Sequence, residues 1–242
     1  MSHFKIVLVV LLSSAVISSQ IKQKPGSRII GGDLARAGQF PYSASIYIRT
    51  ADGTYFYSGA LLNNQWVLTA GQCVDGGLLF TIRLGTNSLT ANDASLVRVA
   101  TDTYFLHPQY NGETLENDIG LIKFREPITY STYIQPINYL SEQTLPVGSQ
   151  VVSIGWGQIS DEDADLVDHL NYVQIVTLRN FNEGTCLGDI GSPLIQYGSR
   201  GYAYHVGISS FLSADGCEST DPSGFTRTAV YRDWIRNTIA NN

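Results

Sequence analysis

Cysteine is scarce in this chain: its 242 residues hold only three, at positions 73, 186 and 217. A dense disulfide framework is excluded, and one thiol is left over whenever two pair in an oxidising compartment. Charged residues are few as well, 15% against 43% hydrophobic, which excludes the polar, highly charged class of disordered chains. There is no phosphate-binding glycine loop, no cluster with metal-ligand spacing and no Asn-x-Ser/Thr acceptor, so neither cofactor nor metal is expected. Basic residues are the sign in short supply. Lys5, Lys22, Lys24 and Arg28 sit in residues 1–28, which contain no acid, so the remainder sets 11 basic residues against 21 acidic ones, a formal charge of −10. A surface that acidic argues against nucleic acid and anionic membranes as partners.

What is present begins with an address. Lys5 precedes the apolar run Ile6–Leu12, and Ser13, Ser14, Ala15, Ser18 and Ser19 supply small residues for cleavage after Ser18 or Ser19. That pattern reads as a secretory signal peptide over residues 1–19, because an apolar run this short falls below the ~20 residues of a membrane span. No later stretch is apolar for long enough to cross a bilayer. Residues 20–28, with Pro25-Gly26, read as an exposed linker ending at Arg28.

From residue 29 on, short β-branched and aromatic runs recur between Gly, Asn and Asp punctuation. They include Ala44–Ile48, Trp66–Leu68, Phe80–Leu84, Ile119–Ile122, Val151–Ile154, Tyr172–Val176 and Tyr202–Ser210. Runs of this kind predict an all-β sandwich or barrel. One segment has the helical period instead: Val230, Trp234, Ile235 and Ile239 form one apolar face of a C-terminal amphipathic helix.

Five blocks then stand in order along residues 28–240: Arg28-Ile29-Ile30-Gly31-Gly32, Trp66 to Cys73, Asn117-Asp118-Ile119-Gly120-Leu121-Ile122, Gly188-Asp189-Ile190-Gly191-Ser192-Pro193, and Gly216-Cys217 with Phe225-Thr226-Arg227. Together they resemble the trypsin/chymotrypsin-like serine protease family, with the flavour of insect chymotrypsin-like and collagenase-like enzymes. The resemblance implies a trypsin-like double six-stranded β-barrel with a C-terminal helix and a site in the cleft between barrels. It makes residues 29–242 one domain and residues 20–28 a propeptide. It also implies cleavage after Arg28 by a trypsin-like protease, an ion pair of the freed Ile29 ammonium with Asp189, and a disulfide between Cys186 and Cys217.

The chemistry of that family needs a hydroxyl nucleophile, a base to take its proton and a carboxylate to hold the base. The matching positions here are Gln72, Asp118 and Ile190. A glutamine amide accepts no proton at physiological pH, and isoleucine has no nucleophilic atom. Only Asp118 survives, so the chain is expected to be inactive. His107, in a His-Pro turn, and His169 and His205 read as structural, and Ser192 lacks a base. The resemblance implies that Asp118 is buried, where a carboxylate without partners is costly; Gln72 is expected to donate to it, and so is Ser210, which matches the family serine that bonds this aspartate. Ile190 is expected to fill the nucleophile's space.

Two further departures follow from the resemblance. Tyr57 stands where the family has the cysteine that pairs with the equivalent of Cys73, so Cys73 is expected to be unpaired. Between Leu178 and Cys186 only Arg179–Thr185 replace a longer family segment. That gap, whether a property of the protein or a lost exon, removes a strand of the second barrel and one wall of the specificity pocket. The acidic run Asp161–Asp165 reads as a solvated loop. Three functions stand open at this point: a secreted non-catalytic homologue that binds proteins, such as proteases or their substrates; a hydrolase of unconventional chemistry; and a non-functional copy.

Overall fold

Alternation of apolar side chains puts Ala44, Ile46 and Ile48 of β2 (Ser43–Arg49) on one face, where each is at most 1% exposed. The computed structural model describes residues 32–139, 145–158, 165–177, 185, 186, 188–213, 215, 216 and 223–242. The signal, the propeptide, Arg28, Ile29, Cys217, the run 161–164 and most of the gap lie outside them.

Two antiparallel sheets make up the fold. The first joins β2 to β3 (Thr54–Asn63), β4 (Trp66–Thr69), β5 (Leu79–Leu84), β6 (Val97–Thr101), β7 (Tyr104–Leu106) and β8 (Gly120–Lys123), in the order β6-β5-β2-β3-β4-β8-β7. Its two outermost strands are consecutive in sequence, joined by Asp102 and Thr103 alone. Thr101 Oγ1 donates to the Lys123 carbonyl at 2.8 Å and Lys123 N–H to the Thr103 carbonyl at 2.9 Å. One bent strand thus closes the sheet into a barrel. Splitting that strand at its bend is why seven strands appear where six are expected. The barrel is filled by Ile46, Val67, Phe80, Ile82, Leu84 and Ile122, all without exposure.

The second sheet contains β1 (Asp33–Leu34), β9 (Gln150–Gly155), β10 (Asn171–Val176), β11 (Pro193–Tyr197), β12 (Ala203–Phe211) and β13 (Gly224–Arg227). Its order is β1-β10-β9-β11-β12-β13, and among the described residues no strand joins β13 back to the other end. Six strands are reached only by counting the two-residue β1, and the described strands do not close this half into a barrel. A Val151–Leu194–Val206 cluster lies beneath it, with Ile175 of β10 and Phe225 of β13 packed half-buried against its margin.

The C-terminal helix α1 runs from Arg232 to Asn241 and buries Ile235, with Trp234 and Ile239 packed beside it. Val230 does not join that face; it is 69% exposed. It falls in a 3₁₀ turn, Thr228–Tyr231, whose three residues per turn carry it off the stripe that the α-helical period would give.

Candidate active site

The cleft between the sheets is built from turns, because turns at strand ends can project side chains that a ladder cannot. Gln72 sits in the tight turn after β4, held by Cys73 N–H to the Ala70 carbonyl and Val74 N–H to the Gly71 carbonyl. Asp118 enters just before β8. The segment leading to it carries two non-glycine residues with left-handed backbone, Leu115 at φ 56° and Asn117 at φ 55°. For leucine that conformation is strained. Asn117 pins the segment, donating to the Gln109 carbonyl at 2.8 Å and accepting from the Tyr231 hydroxyl at 3.1 Å.

Asp118 is fully buried, yet both carboxylate oxygens are served. Oδ1 accepts the backbone N–H of Gln72 at 2.8 Å. Oδ2 accepts Gln72 Nε2 at 2.8 Å and Ser210 Oγ at 2.6 Å. The second N–H of Nε2 reaches the Ser210 carbonyl, also at 2.8 Å. The glutamine amide is therefore fully committed as a donor, bridging the first barrel to β12.

Ile190 comes from the turn before β11 and is only 8% exposed. Ser58 N–H of β3 donates to its carbonyl at 2.9 Å, and Ser58 Oγ to the Gly188 carbonyl at 3.2 Å. These ties between the nucleophile-position turn and the first barrel escaped sequence reasoning, since a serine inside an aromatic strand carries no signal of its own. Ser192 Oγ is buried with no hydrogen-bond partner among the described residues.

Asp189 lies one residue away and is also fully buried. Its oxygens accept Gly157 N–H at 2.8 Å and Cys186 N–H at 2.9 Å. A Cβ on Gly155 would sit 1.9 Å from Oδ1 and one on Gly157 2.6 Å from Cγ, so two glycines leave the carboxylate its space. Burial pushes its pKa up to about 7, against the pull of the two amides. The expected partner of this carboxylate, Ile29, and the expected partner of Cys186, Cys217, are outside the described residues.

The histidines are engaged elsewhere. His107 packs its ring on Tyr231 and Trp234, with centroids 5.3 and 5.2 Å away, docking the C-terminal helix. His169 lies 3.2 Å from Asp168. His205 is buried under the second sheet, Nδ1 2.8 Å from Thr228 Oγ1, and burial drives its pKa down to about 3. Cys73 is a free, buried thiol whose pKa is raised by burial. Beside it the Tyr57 phenol is pushed up to about 12, by burial first and Cys73 second. Among the described residues no group of three or more His, Cys, Asp or Glu side chains is placed to hold a metal ion. A groove of about 280 Å³ opens next to Ser210, with Leu115, Phe211, Phe225 and Arg227 among its walls.

Comparison with known proteins agrees with this architecture. The family model described as Trypsin matches residues 29–235. Brachyurin of Leptuca pugilator is 31% identical over 228 residues, covering 86% of this chain and 97% of that protein. Phenoloxidase-activating enzyme 1 of Spodoptera litura is 31% identical over 258 residues, covering 90% of this chain and 68% of its own. Among solved structures, HL collagenase superposes with a TM-score of 0.77 at 28% identity, over 88% of this chain and 99% of that one.

Proposed function

Because the chain belongs to the trypsin family of serine proteases, we propose that it is a non-catalytic member, secreted, which acts by binding protein instead of cleaving it. The observation that carries this reading is the double commitment of Gln72 Nε2 to Asp118 and to the Ser210 carbonyl. At the position of the general base stands an amide, which takes no proton near neutral pH and which is fixed in place as a donor. Ile190 closes the second route, since a buried aliphatic side chain at the nucleophile position can form no acyl intermediate.

The remaining scaffold is consistent with a binding role. Asp118 keeps its partners, the cradle of Asp189 is intact, and the groove beside Ser210 keeps apolar walls. The partner class under this reading is protein, namely active proteases or their substrates. Processing at Arg28–Ile29 and a Cys186–Cys217 disulfide tying the loops around the cleft belong to the same proposal.

Incubation of the secreted, processed protein with a fluorophosphonate probe, together with casein and chromogenic peptide substrates, tests it. No labelling and no cleavage above buffer are expected. Stoichiometric labelling of any serine overturns the reading.

A further inference from the structure

A second groove, of about 500 Å³, lies apart from Gln72, Asp118 and Ile190, none of which lines it. Its walls come from the turn after β1, the loop between β5 and β6, Tyr133 and the approach to β10. Six of the lining residues carry no side chain beyond a methyl group: Ala35, Ala37, Gly38, Gly85, Ala91 and Ala94. Gly38 carries the Tyr133 ring, whose Cδ1 would stand 3.2 Å from a Cβ placed there.

The polar side chains here have spent their donors on the protein. Thr86 Oγ1 donates to Asp93 Oδ2 at 2.5 Å, Ser88 Oγ to the Asp168 carboxylate at 3.0 Å, and Ser95 Oγ to the Gly85 carbonyl at 2.6 Å. Asn87 turns Nδ2 to the Ala35 carbonyl at 2.9 Å. Arg83, 7% exposed, fixes the loop by donating to the Ser88 and Ala91 carbonyls at 3.1 and 2.9 Å. Asp93 and Asn87 are left with acceptor capacity, since Oδ1 of each has no hydrogen-bond partner among the described residues. No cation answers Asp93 either: Arg98 is taken by Asn92 Oδ1, and among the described residues no ion pair reaches this carboxylate. Along 33–38, 83–95 and 168–169 three carboxylates, Asp33, Asp93 and Asp168, stand against two guanidiniums, Arg36 and Arg83.

Free acceptors around an unpaired carboxylate select a ligand that donates and carries positive charge. A metal ion fits poorly, because hard cations take about six to eight oxygen ligands, and among the described residues no three His, Cys, Asp or Glu side chains come together. A guanidinium fits. It is a planar fork of donors without an acceptor, its aliphatic stem suits a lining of methyl groups, and its plane stacks on an aromatic ring such as Tyr133. We infer that this groove docks an arginine side chain of a partner protein, with Asp93 as its counter-ion and the Tyr133 ring against its plane. The docking is independent of the cleft and of any catalysis there.

Titration of the full, isotope-labelled chain with N-acetyl-arginine amide, followed by amide chemical shifts, tests it. Saturable shifts are expected at Gly85–Ser88 and Ala91–Ser95. N-acetyl-citrulline amide, of the same shape without the charge, should bind at least about ten-fold more weakly. Free arginine should bind no tighter than the blocked form, because a residue inside a partner's chain has neither free terminus. Asp93→Asn should abolish the preference for arginine over citrulline. Ala94→Trp, at an exposed position, should fill the groove and weaken both ligands about ten-fold, while unshifted amides of β2 and β12 report that each variant is folded. Equal binding of the arginine and citrulline amides, a preference unchanged in Asp93→Asn, or free arginine binding about ten-fold tighter than the blocked form would overturn the inference. So would calcium chloride producing the same shifts at lower concentration than the arginine amide.

Discussion

The side-chain amide of Gln72 holds the buried carboxylate of Asp118 at 2.8 Å while its other N–H holds the Ser210 carbonyl at the same distance. A residue that matches the family's base position braces the first barrel against β12 of the second sheet, and its removal should register as lost stability. Gln72→Ala leaves Asp118 with the Gln72 backbone amide and Ser210 Oγ only. Unfolding in urea should show a loss of roughly 1.5–3 kcal/mol, the range for a hydrogen bond to a charged group. A loss below the error of the measurement would mean the brace is idle.

Restoring the missing chemistry should not restore an enzyme. Gln72→His with Ile190→Ser supplies base and nucleophile, but among the described residues no strand closes the second sheet, and the resemblance implies that one pocket wall is missing. Because small misplacements of substrate cost on the order of 10²-fold, the double variant should stay at least that far below brachyurin on shared peptide substrates. A rate equal to brachyurin would show that neither departure matters for positioning.

Asp189 gives the chain an unusual dependence on pH. Its pKa is raised to about 7 from an ordinary value near 3.9 in the unfolded chain. Its contribution is fully present below the unfolded value and is lost as pH rises through 7. Stability of the uncleaved protein should therefore fall by on the order of 4 kcal/mol between about pH 4 and pH 7.5 from this group. Asp189→Asn should remove that contribution, so that denaturation curves across the range lose the fall toward pH 7.5 and keep only the opposing dependence of His205; a pH dependence unchanged from the parent would place its origin elsewhere.

His205 acts in the opposite sense. Burial lowers its pKa to about 3 from about 6.5 unfolded, so its contribution is complete above pH 6.5 and is lost as pH falls toward 3. The two groups overlap between pH 4 and 6.5, and the parent alone would show only their difference. In the Asp189→Asn background, His205→Gln should flatten the acid limb, measured by circular dichroism against pH. Should the limb survive unaltered, the imidazole is not its cause.

Much of the fold was legible from strand runs because β-branched and aromatic residues alternate there. Ala44–Ile48, Phe80–Leu84 and Tyr172–Val176 each lie inside an observed strand. β3, at Thr54–Asn63, carries Ser58 and Gly59 in its middle, which break off the run begun by Thr54–Tyr57. Val230 misled for a different reason, since helical spacing says nothing about where a 3₁₀ turn gives way to α-helix. At the site, the family resemblance together with the chemistry of an amide was enough to place Gln72 and Ser210 on Asp118. They could not reveal the anchoring of the Ile190 turn by Ser58, which depends on strand β3 lying alongside, nor the bridging of Gln72 to the Ser210 carbonyl, because main-chain acceptors leave no mark in a sequence.

Tyr57, where the resemblance implies a disulfide partner, has a consequence for how this protein would behave in an oxidising compartment. An odd cysteine count usually offers a handle for covalent pairing between chains or capture by glutathione. Cys73 is 1% exposed and burial raises its pKa, so the thiolate that either reaction needs is nearly absent at neutral pH. The odd sulfur is locked away by burial, which would let a secreted chain pass an oxidising route without being linked to a neighbour through it.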